Sequence, residues 1–523
     1  MQSVLIGGKW RKSLGEKTFQ SINPATREVL PDLYPVSPWA EVEEALQVAA
    51  SVAAEIRNWP GDRFATFLER YAELIEARAE DIIASANEET ALPVEPRLKG
   101  GELPRTTNQL RQAAAAAREG SWALPTIDTQ ANIRSMLGPI GPVVVFGPNN
   151  FPFAFNGIAG GDFAAAVAAG NPVIAKGHTS HPRTTRLLAE AAHEAAIETG
   201  MPPGFVQLIY RTSHEDGARL VGHRFTGATG YTGSRQTGLV LKQAADAVGK
   251  PIYVELSSVN PVIILPGALK ERGDAIVGEF AASCLMGTGQ FCTNPGLVLL
   301  LASGEAEAFI ASASEKFGAA PAGTLLGEGA EKSLRSGIAA LVEAGATVLT
   351  GNQPVDESRC CHANTLLRVS GADFLKDPAG LQTEAFGNAS LFVVAESVEE
   401  LTAIIREFEG NLTGCFYSDT QGSDDALYDQ LAPELRPHVG RLLNDKMPTG
   451  VAVSPAMNHG GPFPATGHPG FTAVGIPASL RRFGMLQCYD NVRPQRLPAL
   501  LQDQNPGNAW RSIDCQWTQG DIG

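Results

Sequence analysis

Short apolar runs alternate with longer amphipathic stretches along most of the chain, and the pattern changes character at several points. Over residues 1–36 the runs are brief and broken by turn residues, such as Gly7-Gly8 and the segment 22–28, which predicts short strands. From Ser37 to Gly120 the period is helical. Ser37-Pro38 has the form of a cap followed by proline at the first helical position. Asp62 reads as the cap of a second helix, in which Phe64, Phe67, Leu68, Tyr71, Leu74 and Ile75 recur on one face. The run Ala113–Ala117 is a plain helix former. From residue 138 apolar strands (GPVVVFG, PVIAKG, FVQLIY, FTGATGYTG) alternate with helical segments at about 153–169 and 182–198. This predicts βαβ units and a parallel sheet covered on both faces. The alternation resumes after residue 255 with PVIILPG, a helix over 271–287, LVLLLAS and a helix over 304–317, a second α/β layer. Residues 440–475 are rich in Gly and Pro, and residues 490–523 read as a polar tail with two Trp.

Composition narrows the class. The 523 residues carry 41 Lys plus Arg against 56 Asp plus Glu, a net charge of −15. Such a chain repels phosphate backbones, so no nucleic-acid partner is expected. The apolar runs fall short of the ~18 residues of a membrane span, so no membrane partner is expected either. The opening run Val4-Leu5-Ile6 is too short for a targeting segment, and a cytoplasmic location is the expectation. Seven cysteines in so long a chain do not make a disulfide framework.

Five features could carry chemistry. Cys292 lies in the loop GTGQFCTNP, where a thiol can be exposed as a nucleophile, although buried inert thiols are the commoner fate. Glu255 ends an apolar strand, where α/β sheets place their ligands, and is either a general base or a solvated strand-end carboxylate. Asn150 follows the strand VVVFG and is an oxyanion donor or an ordinary turn residue. Lys176 ends the next strand, within reach of a ribose or phosphate, or is merely solvated. Gly233-Ser234, in TGSRQTG, either opens a helix onto a pyrophosphate or forms a plain turn. The usual G-x-G-x-x-G fingerprint is absent. His178 and His181 are three apart with no third ligand nearby, and no metal site is expected.

Taken in order, NNFP at 149, VIAK at 173, TGS at 232, ELSSVNP at 255, GQFCTNP at 289 and TEAFGN at 383 resemble the aldehyde dehydrogenase superfamily over nearly the whole chain. The resemblance implies an α/β fold with a Rossmann-variant cofactor domain (residues 1–120 and 141–254), an α/β catalytic domain (255–475), and a small β bridging arm with its tail (121–140 and 476–523). It implies Cys292 as nucleophile, Glu255 as the base that activates water, and Asn150 as half of an oxyanion hole. Lys176 would bind the adenosine ribose, and Gly233 and Ser234 the pyrophosphate. Leu256, Glu384 and Phe386 would border the nicotinamide half of the cofactor. The product would be a free acid released from a cysteine thioester.

Three departures from the common pattern refine this. Thr179 stands where many NAD-preferring members have Glu, with His178 beside it and Arg211 after the strand FVQLIY, so NADP is expected, with NAD accepted as a lesser cofactor. The motif reads Glu255-Leu256-Ser257-Ser258, and the late segment MNHGGPFPATGHP brings His459, a candidate to tune the nucleophile. These variants resemble the branch holding α-ketoglutarate semialdehyde (2,5-dioxovalerate) dehydrogenases and an NADP-linked fatty-aldehyde enzyme. A small oxo-acid aldehyde is therefore the expected substrate, and a long-chain or general aliphatic aldehyde the alternative. Family members are homodimers or homotetramers, and the sequence does not choose between them.

Overall fold

The computed structural model describes residues 1–522. Its first sheet has seven strands, in the order Ile252–Glu255, Ala228–Thr232, Val143–Phe146, Val173–Lys176, Val206–Ile209, Val4–Ile6 and Lys9–Arg11. The first five are parallel. They are short and almost wholly apolar because helices cover both faces, including Trp39–Ile56, Gly61–Ala77, Pro182–Glu198 and Arg235–Asp246. Register then fixes what emerges at one edge. Phe146 pairs with Lys176, and Thr232 pairs with Glu255, so Lys176, Thr232 and Glu255 all end their strands at the carboxyl edge of the sheet.

A second sheet of seven strands runs Thr347–Thr350, Thr365–Ser370, Ala389–Ala395, Leu297–Leu301, Val262–Ile264, Asn411–Tyr417 and Val439–Asn444. Only its edge strand Thr347–Thr350 is antiparallel. Separate apolar clusters lie on its two faces. A third sheet joins Gly484–Asp490, Ile133–Pro139, Thr126–Asp128, Arg511–Ile513 and Gln516–Thr518. The stretch that reads as a polar tail thus contributes two strands. Buried Arg511 fastens them by donating to the carbonyls of Asp503 and Gly520.

Three local expectations are corrected. The helix expected over 153–169 forms only at Gly161–Ala168, and residues 151–160 are a series of buried turns. The cause is remote: Glu102 Oε1 accepts from the amides of Phe153 and Ala154 at 2.8 and 2.9 Å, taking donors that a helix would leave for its own cap. The second helix starts at Gly61 with Pro60 at its cap, and Asp62 lies within the first turn, where it accepts from Arg118 at 2.8 Å. Glycine is required at 61, because a Cβ would stand 1.9 Å from the Ala117 carbonyl oxygen of the packed helix Leu103–Glu119. Likewise Pro38, not Ser37, occupies the first cap, and the Ser37 hydroxyl is buried without a partner.

Candidate active site

The helix Pro266–Leu285 runs into a sharp reversal at Gly287, Thr288 and Gly289, with φ of 55°, 58° and 69°. Gly289 is held to glycine, since a Cβ there would lie 2.0 Å from the Gly387 oxygen. The reversal delivers Phe291 and Cys292 to the space between the first two sheets. The Cys292 Sγ is 3.4 Å from His459 Nε2, and that nitrogen is 2.9 Å from Glu255 Oε1. Glu255 and His459 are buried, Cys292 half-buried. Burial, and then the neighbouring Glu255 carboxylate, push the Cys292 thiol well above its usual range, while Arg105 pulls it back. Glu255 Oε2 is buried with no hydrogen-bond partner among the described residues. A pocket backs onto Glu255 and His459, lined also by Thr232, Tyr253 and the Arg482–Asp162 ion pair.

Two buried asparagines fix the loop carrying the thiol. Asn260, at φ 49°, donates from Nδ2 to the carbonyls of Cys292 and Asn294 at 2.9 Å each, and its Oδ1 accepts from Ser258 and Thr413 hydroxyls. Asn411 Oδ1 accepts from the amides of Val259 and Asn260. The segment after Glu255, the loop carrying Cys292 and the strand Asn411–Tyr417 are therefore one hydrogen-bonded unit. Asn150 Nδ2 donates to the Gln290 carbonyl at 3.0 Å, which leaves its second amide proton beside the same loop. Its backbone oxygen accepts from Arg97, itself paired with Glu102.

An aromatic wall borders the thiol. Phe151 meets Phe155 and Phe291 edge-on, and Phe155 lies 5.8 Å from the His459 ring, centroid to centroid. Val453, Met457 and Val474 complete it.

The other expected residues gather at the carboxyl edge of the first sheet. Ser234 caps the helix Arg235–Asp246, its side chain accepting from Thr237, and Gly233 donates to the Glu255 carbonyl. A Cβ at Gly233 would approach the Tyr231 hydroxyl to 2.7 Å. Lys176 makes no ion pair or side-chain hydrogen bond among the described residues, and burial and then Arg211 push it down to about 8. Arg211 is exposed and Thr179 half-buried. His178 stacks on His181 with centroids 5.2 Å apart, and burial holds it well below the usual imidazole range, hence neutral. Leu256 is buried against Gly238, where a Cβ would meet its Cδ2 at 2.2 Å. Glu384 and Phe386 line a pocket with Phe291 and Asn294 of the loop carrying Cys292. Desolvation pushes Glu384 up to about 7, against hydrogen bonds from Ser257 and the Ser258 amide. An unpartnered lysine, a capped helix start and a carboxylate facing a pocket fit a dinucleotide lying along this edge.

Comparison with known proteins settles the family. A model of the aldehyde dehydrogenase family matches residues 10–435. The chain belongs to that family. It is an oxidoreductase that acts on aldehydes with a nicotinamide nucleotide. It is 39% identical to α-ketoglutaric semialdehyde dehydrogenase 2 of Azospirillum brasilense over 501 residues, 94% of each chain. It is 34% identical to α-ketoglutaric semialdehyde dehydrogenase of Acinetobacter baylyi over 521 residues, 97% of each. Among solved structures, a 1-pyrroline-5-carboxylate dehydrogenase of Thermus thermophilus superposes with a TM-score of 0.81 at 22% identity, covering 93% of this chain and 92% of that one. Aldehyde dehydrogenase C of Pseudomonas syringae gives 0.79 at 20%, covering 95% and 98%. At these identities the structures speak to the fold.

Sequence reasoning missed several residues of this aldehyde dehydrogenase site: Asn260 and Asn411, the Arg97–Glu102 pair, and Arg105. One signal was readable. Asn260 stands directly before Pro261, and asparagine is among the few residues that tolerate a positive φ. Nothing in the spacing of the arginines distinguishes them from surface cations.

Proposed function

We propose that this aldehyde dehydrogenase oxidises α-ketoglutaric semialdehyde to 2-oxoglutarate with NADP as its preferred cofactor, and that it works as a homo-oligomer. The observation that carries the substrate is the 39% and 34% identity, along nearly the whole chain, to two enzymes named for that aldehyde. For the cofactor, Arg211 is exposed and free of ion pairs among the described residues, close enough to Lys176 to depress it, with the Thr179 hydroxyl nearby in sequence. This edge has a cation and a hydroxyl for a 2′-phosphate where a glutamate would repel it.

The catalytic sequence follows from the triad. His459 Nε2, 3.4 Å from the thiol, takes its proton, and the Glu255 carboxylate stabilises the imidazolium. The Cys292 thiolate attacks the aldehyde carbon. Asn150 Nδ2 and the Cys292 backbone N–H donate to the resulting oxyanion, a type of contact worth about 3 kcal/mol of barrier each. The nicotinamide, when bound, supplies the hydride acceptor. Lys176, Gly233, Ser234 and Glu384 would hold that cofactor. The thioester left on Cys292 is then cleaved by water, whose proton goes to Glu255; its unpartnered Oε2 is the acceptor available for that step. Release of the carboxylate restores the thiol.

Steady-state kinetics test the reading. The ratio kcat/KM is measured for α-ketoglutaric semialdehyde, succinic semialdehyde and a long-chain aldehyde with NADP and with NAD. The expected order puts α-ketoglutaric semialdehyde with NADP first. A preference for the long-chain aldehyde, or for NAD, overturns the corresponding half of the proposal.

A further inference from the structure

One cation beside Cys292, Arg105, makes no ion pair among the described residues. Arg105 lies near the start of the helix Leu103–Glu119, and its Nε donates to Gln109 Oε1 at 3.1 Å. Gln109 is itself pinned, donating to the Ala154 carbonyl at 3.2 Å, so the guanidinium is held in one orientation. Neither terminal nitrogen has a partner among the described residues. Nη2 is out of reach of solvent and orphaned, while Nη1 keeps solvent access. The guanidinium carbon sits 5.7 and 5.4 Å from the ring centroids of Phe151 and Phe155, on the aromatic wall that borders His459 and Cys292. Its charge is felt at both Cys292 and Glu255.

The neighbouring arginines are already occupied. Arg97 gives one terminal nitrogen to Glu102 and the other to the Asn150 carbonyl. Arg441 gives both of its own to the carbonyls of Pro448 and Gly450. Glu102 accepts two backbone amides and faces Arg97; it attracts Arg105 through space but makes no ion pair or hydrogen bond with it among the described residues. A desolvated, unpaired guanidinium fork is costly in the free protein, and a carboxylate is the group whose geometry matches it. We propose that Arg105 is the specificity residue of this site: its free Nη1 and Nη2 bind the carboxylate of an aldehyde acid while the aldehyde end reaches Cys292. Gln109 serves as its positioning residue. This rests on the proposed substrate reading and supplies the anchor for it.

The test compares anionic and neutral aldehydes of similar length in the full-length enzyme and in Arg105→Met. With saturating NADP, kcat/KM for α-ketoglutaric and succinic semialdehydes falls about 100-fold, chiefly through KM, as expected when one side of a desolvated charge pair is removed. For pentanal the loss is smaller, about tenfold or less, because only the Cys292 thiol that Arg105 no longer pulls down is affected, so the anionic-to-neutral ratio of kcat/KM still falls about tenfold. Arg105→Lys keeps the charge without the fork, and its loss on the anionic aldehydes is intermediate. That variant carries the same comparison if Arg105→Met does not fold. Equal losses on pentanal and the semialdehydes, or no loss on the semialdehydes, overturn the role of Arg105. Wild-type preference for succinic over α-ketoglutaric semialdehyde, with the anionic loss intact, overturns the named substrate and leaves Arg105 standing. Wild-type preference for pentanal over both anions overturns both.

Discussion

The Nε2 of His459 lies 2.9 Å from Glu255 Oε1 and 3.4 Å from Cys292 Sγ, and one nitrogen has either a lone pair or a proton to offer, so it cannot serve both partners in the same way. A resting state with a protonated thiol, which burial and Glu255 favour, has the imidazole ready to accept from sulfur. Replacing His459 by Gln removes the base while keeping a polar side chain of related reach. The thiolate must then form against a strongly raised pKa. The rate of acyl-enzyme formation at pH 7 is expected to drop about 100-fold, and to recover roughly tenfold per pH unit on the alkaline side. Rapid-mix measurement of the cofactor burst from pH 6.5 to 10 checks this; a profile parallel to that of the parent would remove His459 from thiol activation. Glu384 offers a second titration. Its folded-state value of about 7 lies above the ordinary carboxylate value of 4.5, so it holds an extra proton in the cofactor-free fold. That contribution to stability is present below about 4.5 and is lost as pH rises through about 7. A ribose hydroxyl donates better to the carboxylate than to the acid. NADPH is therefore expected to bind more tightly as pH rises to about 7 and then level off, while Glu384→Gln flattens the dependence. Fluorescence titration between pH 6 and 8.5 would show either behaviour.

At the level of elements, the loops around the thiol are stiff because asparagine side chains replace the missing backbone ladder. Asn260 donates to two carbonyls of the loop carrying Cys292 and accepts from two hydroxyls, all inside the protein. Asn260→Ala leaves those groups unpaired and gives up a residue tolerant of positive φ, a loss of about 3 kcal/mol in unfolding free energy. Asn260→Asp keeps the backbone preference but sets a carboxylate against the Cys292 and Asn294 oxygens. Both variants are expected to lower kcat more than they raise KM, and Asn260→Asp should be the less active of the two despite its better backbone fit. Thermal unfolding and steady-state kinetics on the pair separate loop positioning from plain loss of stability. This network also explains what the sequence could not convey. The strands ending at Lys176 and Glu255 were legible because apolar runs of fixed length punctuated by a polar residue encode strand ends locally. The helix start at Gly161 was not, since Glu102, some fifty positions away, captures the amides of Phe153 and Ala154. Arg105 was illegible for the same reason. Its chemistry comes from partners it lacks, and that absence exists only once Arg97, Glu102 and Arg441 have been placed.

For the molecule as a whole, charge and the third sheet pull in opposite directions. Each chain carries −15, so two copies repel one another, and contact between them has to be supplied by apolar surface. The edge strand Gly484–Asp490 offers it: successive residues Met485 and Leu486 are 49% and 71% exposed and point to opposite faces, and Trp517, on the far edge strand of the same sheet, is 57% exposed. An open edge bearing large apolar side chains on both faces is the kind of strand a monomer would have to protect. If two copies meet at that strand, Leu486→Asp places a carboxylate in the contact from each subunit. Burial of each leucine is worth about 2 kcal/mol, so a twofold contact loses about 4 kcal/mol, close to a thousandfold in the dissociation constant, before any added repulsion. Light scattering at micromolar concentration is expected to show the parent as an oligomer and Leu486→Asp as a monomer. Salt distinguishes this contact from a charge-driven one. With like-charged subunits, lowering ionic strength from about 0.15 M to 0.01 M lengthens screening from about 8 to 30 Å and should loosen the parent oligomer. An interface held by ion pairs would instead tighten, and that result, or an oligomer unaffected by Leu486→Asp, would place subunit contact elsewhere on the molecule.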